Sequence, residues 1–189
     1  MKIGTKSLLF GCHQFILHPL FTFMAWVRLY GVPTVRELIA IVIHDWGYFG
    51  CRTMEGVDGN AHPIWASNLF KRIGRSKEAD LALYHSRFFA KRNGSLPSKL
   101  CYADKLGTAL MPCLLWIILA KASGELKEYM AAEHFEVHGD FPPMEFIKRY
   151  SGVVKMLLLK EEAGTECNKF ALKWRKSVKP FKLGINNES

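Results

Sequence analysis

Apolar residues recur at three- and four-residue intervals almost from end to end of this chain, and few stretches alternate in the manner of strands. A chain patterned this way buries its apolar stripes by packing helix against helix, so the expected fold class is all-α, a bundle of seven or eight helices. The segment Thr34 to Trp46 shows the pattern with its punctuation. Thr34 and Glu37 form a capping box, Val35, Leu38, Ile39 and Val42 make one apolar face, and Gly47 supplies the stop. His44 and Asp45 then fall in the last turn of that helix.

The same signals place the elements that follow. Residues Cys51 to Ala61 include Gly56, Asp58, Gly59 and Asn60 and read as a loop; Pro63 sits where a first-turn proline is tolerated, and a helix runs from His62 to about Ile73. Ser76 caps another helix that carries Leu81, Leu83, Tyr84 and Phe88 until Asn93 and Gly94 end it, which puts His85 inside it. Pro97 opens a helix with Leu100, Ala103, Asp104 and Leu110, and Pro112 bends or breaks it. Further helices are expected from Gly124 to about Phe135, from Pro143 to Glu162 and from Glu166 to Lys176.

A length of 189 residues suits one domain, expected to hold a metal-site core over about 13–110 and C-terminal helices over 123–178. With 49% hydrophobic and 23% charged residues the composition excludes disordered and collagen-like chains and predicts a soluble globule. Five widely spaced cysteines without a CxxC pair read as free thiols in a reducing cytosol, and a cytoplasmic location follows. Two apolar stretches are candidates for membrane spans. Leu8 to Tyr30 is interrupted by two histidines, Gln14, Pro19 and Arg28, and Ala109 to Ala120 falls short of the roughly 20 residues a bilayer needs, so no transmembrane segment is expected.

The formal charge of +9 favours anionic partners, and the cluster Lys169, Lys173, Arg175, Lys176, Lys179 and Lys182 reads equally as a solvated tail or a binding patch. Nucleic acid is a possible partner that no motif supports.

The chemistry concentrates in His18, His44, Asp45, His62, His85 and Asp104. Successive gaps of 26, 18, 23 and 19 residues are each about one helix plus one turn, so consecutive helices can bring every side chain to one end of a bundle. Imidazole and carboxylate are ligands that Fe, Mn, Zn and Co accept, and a carboxylate can bridge two ions. His13 is an alternative first ligand.

These residues lie in stretches that resemble the HD superfamily of metal-dependent phosphohydrolases. Glu37 to Tyr48, ELIAIVIHDWGY, is similar to that family's apolar helix ending in His-Asp-x-Gly; His62 to Phe70, HPIWASNLF, is similar to its His-Pro stretch; Tyr84-His85 and Tyr102 to Leu106, YADKL, resemble its late His and its closing Ala-Asp-Lys. The resemblance covers about His18 to Leu106. It implies that His18, His44, Asp45 and Asp104 hold one divalent transition metal, with Asp45 bridging to a second held by His62 and His85. It further implies hydrolysis of a nucleotide or another small phosphate ester or anhydride by a metal-bridging hydroxide. Asp45, Arg87 and Lys105 are then the catalytic candidates, with Arg52, Lys91 and Arg92 as further cations near ligands. Two other functions remain open here: a mixed-valent di-iron oxygenase built on the same six ligands, and a non-catalytic basic binding protein on an HD scaffold.

Overall fold

The computed structural model describes residues 1–131 and 142–160. Its regular elements are helical throughout: α1 (Ile3–Phe10), α2 (Leu17–Tyr30), α3 (Val35–Ile43), a 3-10 turn (Trp46–Tyr48), α4 (Gly56–Asn60), α5 (Pro63–Arg72), α6 (Ser76–Leu83), α7 (Arg87–Arg92), α8 (Lys99–Leu110), α9 (Cys113–Ser123), α10 (Glu125–Ala131) and α11 (Pro143–Lys160). The all-α reading holds. The expected helix over 166–176, the basic cluster of 169–182 and Cys167 lie outside the described residues.

The eleven α-helices among these residues exceed the expected seven or eight because the N-terminal segment and the helix expected from Ser76 to Asn93 are each broken in two, and because residues Cys51 to Ala61, expected as a loop, contain the short helix α4. The N-terminal segment divides at Gly11, whose backbone crowds Glu125 so closely that a Cβ there would lie 2.2 Å from its Oε1. The helix expected from Ser76 to Asn93 stops at Leu83 and restarts at Arg87, leaving His85 in the break. The helix expected to run to Trp46 ends at Ile43, so Asp45 stands between it and the 3-10 turn.

The main core is built between α2 and α8. Ala25, Trp26 and Leu29 on the first interlock with Leu100, Ala103 and Leu106 on the second, with Ile41 from α3 and Val154 from α11 against them. Gly107 permits the close crossing, since a Cβ at that position would stand 2.8 Å from the Thr22 backbone nitrogen. A second core joins Met111, Trp116, Ile117 and Ala120 to Leu126, Phe146 and Ile147. Among the described residues no single helix is long and apolar enough to cross a membrane; α8 and α9 pass only as a pair bent by 102° at the Pro112 break.

α3 reverses one expectation. Its capping box forms as read, with Glu37 N on Thr34 Oγ1 at 3.3 Å and Thr34 N on Glu37 Oε2 at 2.7 Å. Val35, Leu38, Ile39 and Val42, however, face outward, and the core side is Ala40, Ile41 and Ile43. Arg36 and Glu37 lie opposite that stripe, so the periodicity of α3 points to the stripe as the buried side, and contact with α2 and α6 overrides it.

Candidate metal centre

Three of the clustered histidines share one placement. His44 is the residue after α3, His62 lies two residues beyond α4, and His85 two residues beyond α6. Each ring turns back onto the helix it follows. His44 Nδ1 donates to the Ile41 carbonyl at 2.8 Å, His62 Nδ1 to that of Gly59 at 2.6 Å, and His85 Nδ1 to that of Ala82. A carbonyl oxygen can only accept, so each Nδ1 carries a proton. The last carbonyls of a helix have no intrahelical donor, and these rings satisfy them while aiming Nε2 at a common centre.

At that centre Nε2 of His18 lies 3.2 Å from Nε2 of His44, and Nε2 of His62 lies 2.9 Å from Nε2 of His85. Asp45 reaches the two pairs with different oxygens. Its Oδ2 is 2.9 Å from His18 and 3.3 Å from His44, and its Oδ1 is 3.3 Å from His62 and 3.5 Å from His85. Asp104, from the middle of α8, joins the first pair through Oδ1, 3.2 Å from His18 and 3.9 Å from His44. Two groups of donor atoms result, His18–His44–Asp45–Asp104 and Asp45–His62–His85, and each can hold a metal ion.

The donor chemistry fits such an ion. Ligands bound at about 2.0–2.2 Å stand roughly 3.0–3.5 Å apart in octahedral or tetrahedral arrangements, close to the separations measured between these nitrogens and oxygens. Asp45 Oδ2 is buried and receives no hydrogen bond despite its 2.9 Å approach to His18, because that approach lacks hydrogen-bond geometry. Two imidazole nitrogens facing each other at 2.9 Å with their second nitrogens already protonated require positive charge between them.

Electrostatics point the same way. Burial opposes charge on His18 and His44, yet Asp104 and Asp45 overturn it and lift His18 to about 9 and His44 to about 10. Burial likewise opposes the Asp45 and Asp104 anions, and the facing imidazoles hold both well below the usual carboxylate range. For His62 burial prevails over the pull of Asp45, and the ring falls to about 4.

Local sequence explains the positions. Gly47 lets the 3-10 turn approach His62, whose carbonyl oxygen would lie 2.0 Å from a Cβ there. Tyr48 then stacks on the His62 ring with centroids 3.9 Å apart. Asp45, His62, His85 and Asp104 line a cavity of about 290 Å³, and Arg87, the first residue of α7, and Lys105 on α8 line it as well. Burial opposes the charge of Lys105, but Tyr150, Cys101 and Asp104 outweigh it and raise its pKa. Arg52, Lys91 and Arg92 are exposed and do not line the cavity, being neighbours of the clustered residues in sequence but not among the residues around the cavity.

His13, the alternative first ligand, joins neither donor group. Its Nδ1 lies 3.1 Å from Oε2 of Glu125 and 3.0 Å from Ser7 Oγ. Glu125 is fully buried and also accepts from Cys12 N at 3.0 Å, Ser123 Oγ at 2.6 Å and Tyr129 Oη at 3.2 Å. Sequence reasoning missed this cluster, because an acid opening a helix after Ser-Gly reads as an ordinary dipole partner.

No protein-family model, curated protein or solved structure matches the chain.

Proposed function

We propose that this protein is a two-metal phosphohydrolase of the HD superfamily, acting on a small phosphate ester or anhydride. The observation that carries the reading is Asp45, which offers one carboxylate oxygen to each of two histidine pairs. His18, His44, Asp45 and Asp104 would hold one ion, and Asp45, His62 and His85 the other. Bound divalent ions would supply Lewis acidity, lowering the pKa of water and neutralising charge at phosphorus.

The protein's own contribution is position and charge. Three helix C-termini fix the imidazoles, so the ligand cage needs little reorganisation. Lys105 remains cationic inside the cavity, and with Arg87 it would hold the non-bridging oxygens of a phosphoryl group beside the carboxylates. Met111, Trp116 and Phe146 add apolar lining to the same cavity and would limit its hydration.

The experiment is metal analysis of the purified protein followed by a phosphate-release screen of phosphomonoesters, phosphodiesters and anhydrides with Mn-, Fe- and Co-loaded protein. Release of phosphate in the absence of oxygen supports the reading. Turnover that strictly requires oxygen would replace it with an oxygenase on the same ligands, and less than one ion per folded chain would leave a binding protein.

A further inference from the structure

One face of the molecule is apolar where it meets water. Along α2 the residues four apart, Ile16, Leu20 and Met24, stand exposed, and Arg28 ends the row. Beside it α3 exposes Val35, Leu38, Ile39 and Val42. The two helices run antiparallel, since Phe15, just before α2, meets Trp46, just after α3, edge to face with centroids 5.6 Å apart. Trp46 lies 5.9 Å from Trp65, whose row on α5 continues to Leu69 and Arg72. Exposure of the apolar residues in these rows runs from 37% to 74%, a continuous patch of a kind that marks an interaction site.

Charge indicates what covers it. Residues 1–36 contain no Asp or Glu and four cations, Lys2, Lys6, Arg28 and Arg36. α5 has no acid either and closes on the exposed Lys71 and Arg72. The one acid of α3, Glu37, is taken up by Thr34 in the capping box. Glu78 of α6 stands beside Val35 and Arg36 at one edge of the face, but Arg28, Arg36, Lys71 and Arg72 leave it net positive. Aliphatic rows, two indole rings and an excess of cations match the interfacial zone of an anionic bilayer, where indoles sit at headgroup level and Arg and Lys meet phosphates. A second copy of the same face would instead bring like charges together.

We infer that the α2–α3–α5 face docks peripherally on an anionic lipid surface. Co-sedimentation of the full chain with vesicles of phosphatidylcholine containing about 30% phosphatidylglycerol tests this at low salt, where surface attraction is least screened. The chain should pellet with these vesicles, shift its tryptophan emission to the blue, bind at least about tenfold less to phosphatidylcholine alone, and be released by high salt. Leu20→Glu combined with Ile39→Glu should abolish pelleting while the circular dichroism and melting temperature stay those of the parent. Arg28→Gln with Arg36→Gln should weaken binding roughly thirtyfold, and this pair carries the test if the first variant fails to fold. Wild-type protein that stays in the supernatant overturns the inference. So does a wild-type mass of two chains in solution that the Leu20→Glu, Ile39→Glu variant converts to one, because the face then belongs to a second copy.

Discussion

The Nε2 atoms of His62 and His85 face each other across 2.9 Å while each ring's Nδ1 is spent on a carbonyl of the preceding helix. Neither nitrogen can turn away without releasing that carbonyl. The pair is thus held ready for a cation, with Asp45 Oδ1 within 3.5 Å of both.

Removing members of the cluster should separate the two ions. Asp45→Ala is expected to lose both together with activity, while His62→Ala and His85→Ala lose mainly the second and keep the ion held by His18, His44 and Asp104. Metal content by mass spectrometry checks this. A His85→Ala protein that keeps two ions and full activity would refute the second-site assignment.

A backbone substitution reaches the same ion indirectly. Gly47→Ala places a methyl group 2.0 Å from the His62 carbonyl oxygen, so the 3-10 turn and His62 must part. The expected outcome is a destabilisation of about 1–3 kcal/mol in thermal unfolding together with loss of the second ion ahead of the first.

Proton linkage follows from the shifts at His18 and His44. Stability from a raised histidine pKa is fully present below its ordinary value of 6.5 and is lost as pH rises through about 9 and 10. The depressed Asp45 and Asp104 contribute above their ordinary value of 3.8 and lose that contribution on acidification. His62, lowered to about 4, adds a cost that grows as pH falls below 6.5. Chelated protein should therefore melt at progressively lower temperature as pH rises from about 6.5 to about 10, with no further loss from these two groups above that. Metal loading near neutrality should release protons, measured by titration calorimetry in buffers of different ionisation enthalpy.

Cation removal at the cavity should affect turnover without touching metal content. Lys105→Met is expected to lower kcat on a phosphate ester by about 100-fold, the usual scale for one preorganised charge at a transition state. Equal losses in kcat and kcat/KM, with two ions still bound, are the signature to look for.

Glu125 belongs to stability. Glu125→Leu leaves the Cys12 amide, the Ser123 hydroxyl and the Tyr129 hydroxyl without their buried acceptor and should cost about 3–5 kcal/mol in denaturant unfolding. Glu125→Gln, which retains an acceptor oxygen, should cost less.

The positions of the clustered residues were legible because helix punctuation and residue type coincide: His44 and Asp45 precede a glycine, His62 precedes a first-turn proline, and Asp104 lies within a well-marked helix. Burial was less legible. Nothing local distinguishes the outward Val35, Leu38, Ile39 and Val42 from an inward stripe, and the turn at Tyr84 to Ser86 carries no glycine or proline to announce it. Glu125 depends on Cys12 and His13, far away in the chain, so its burial is a property of the assembled fold.

The three histidines tied to the helix before them make the centre sensitive to length. One residue inserted within α3 would turn His44 by about 100° and carry it about 1.5 Å along the axis, whereas the turn over 93–97, between α7 and α8, holds no member of the cluster. Insertions should be refused inside the helices that His44, His62 and His85 follow and tolerated in that turn.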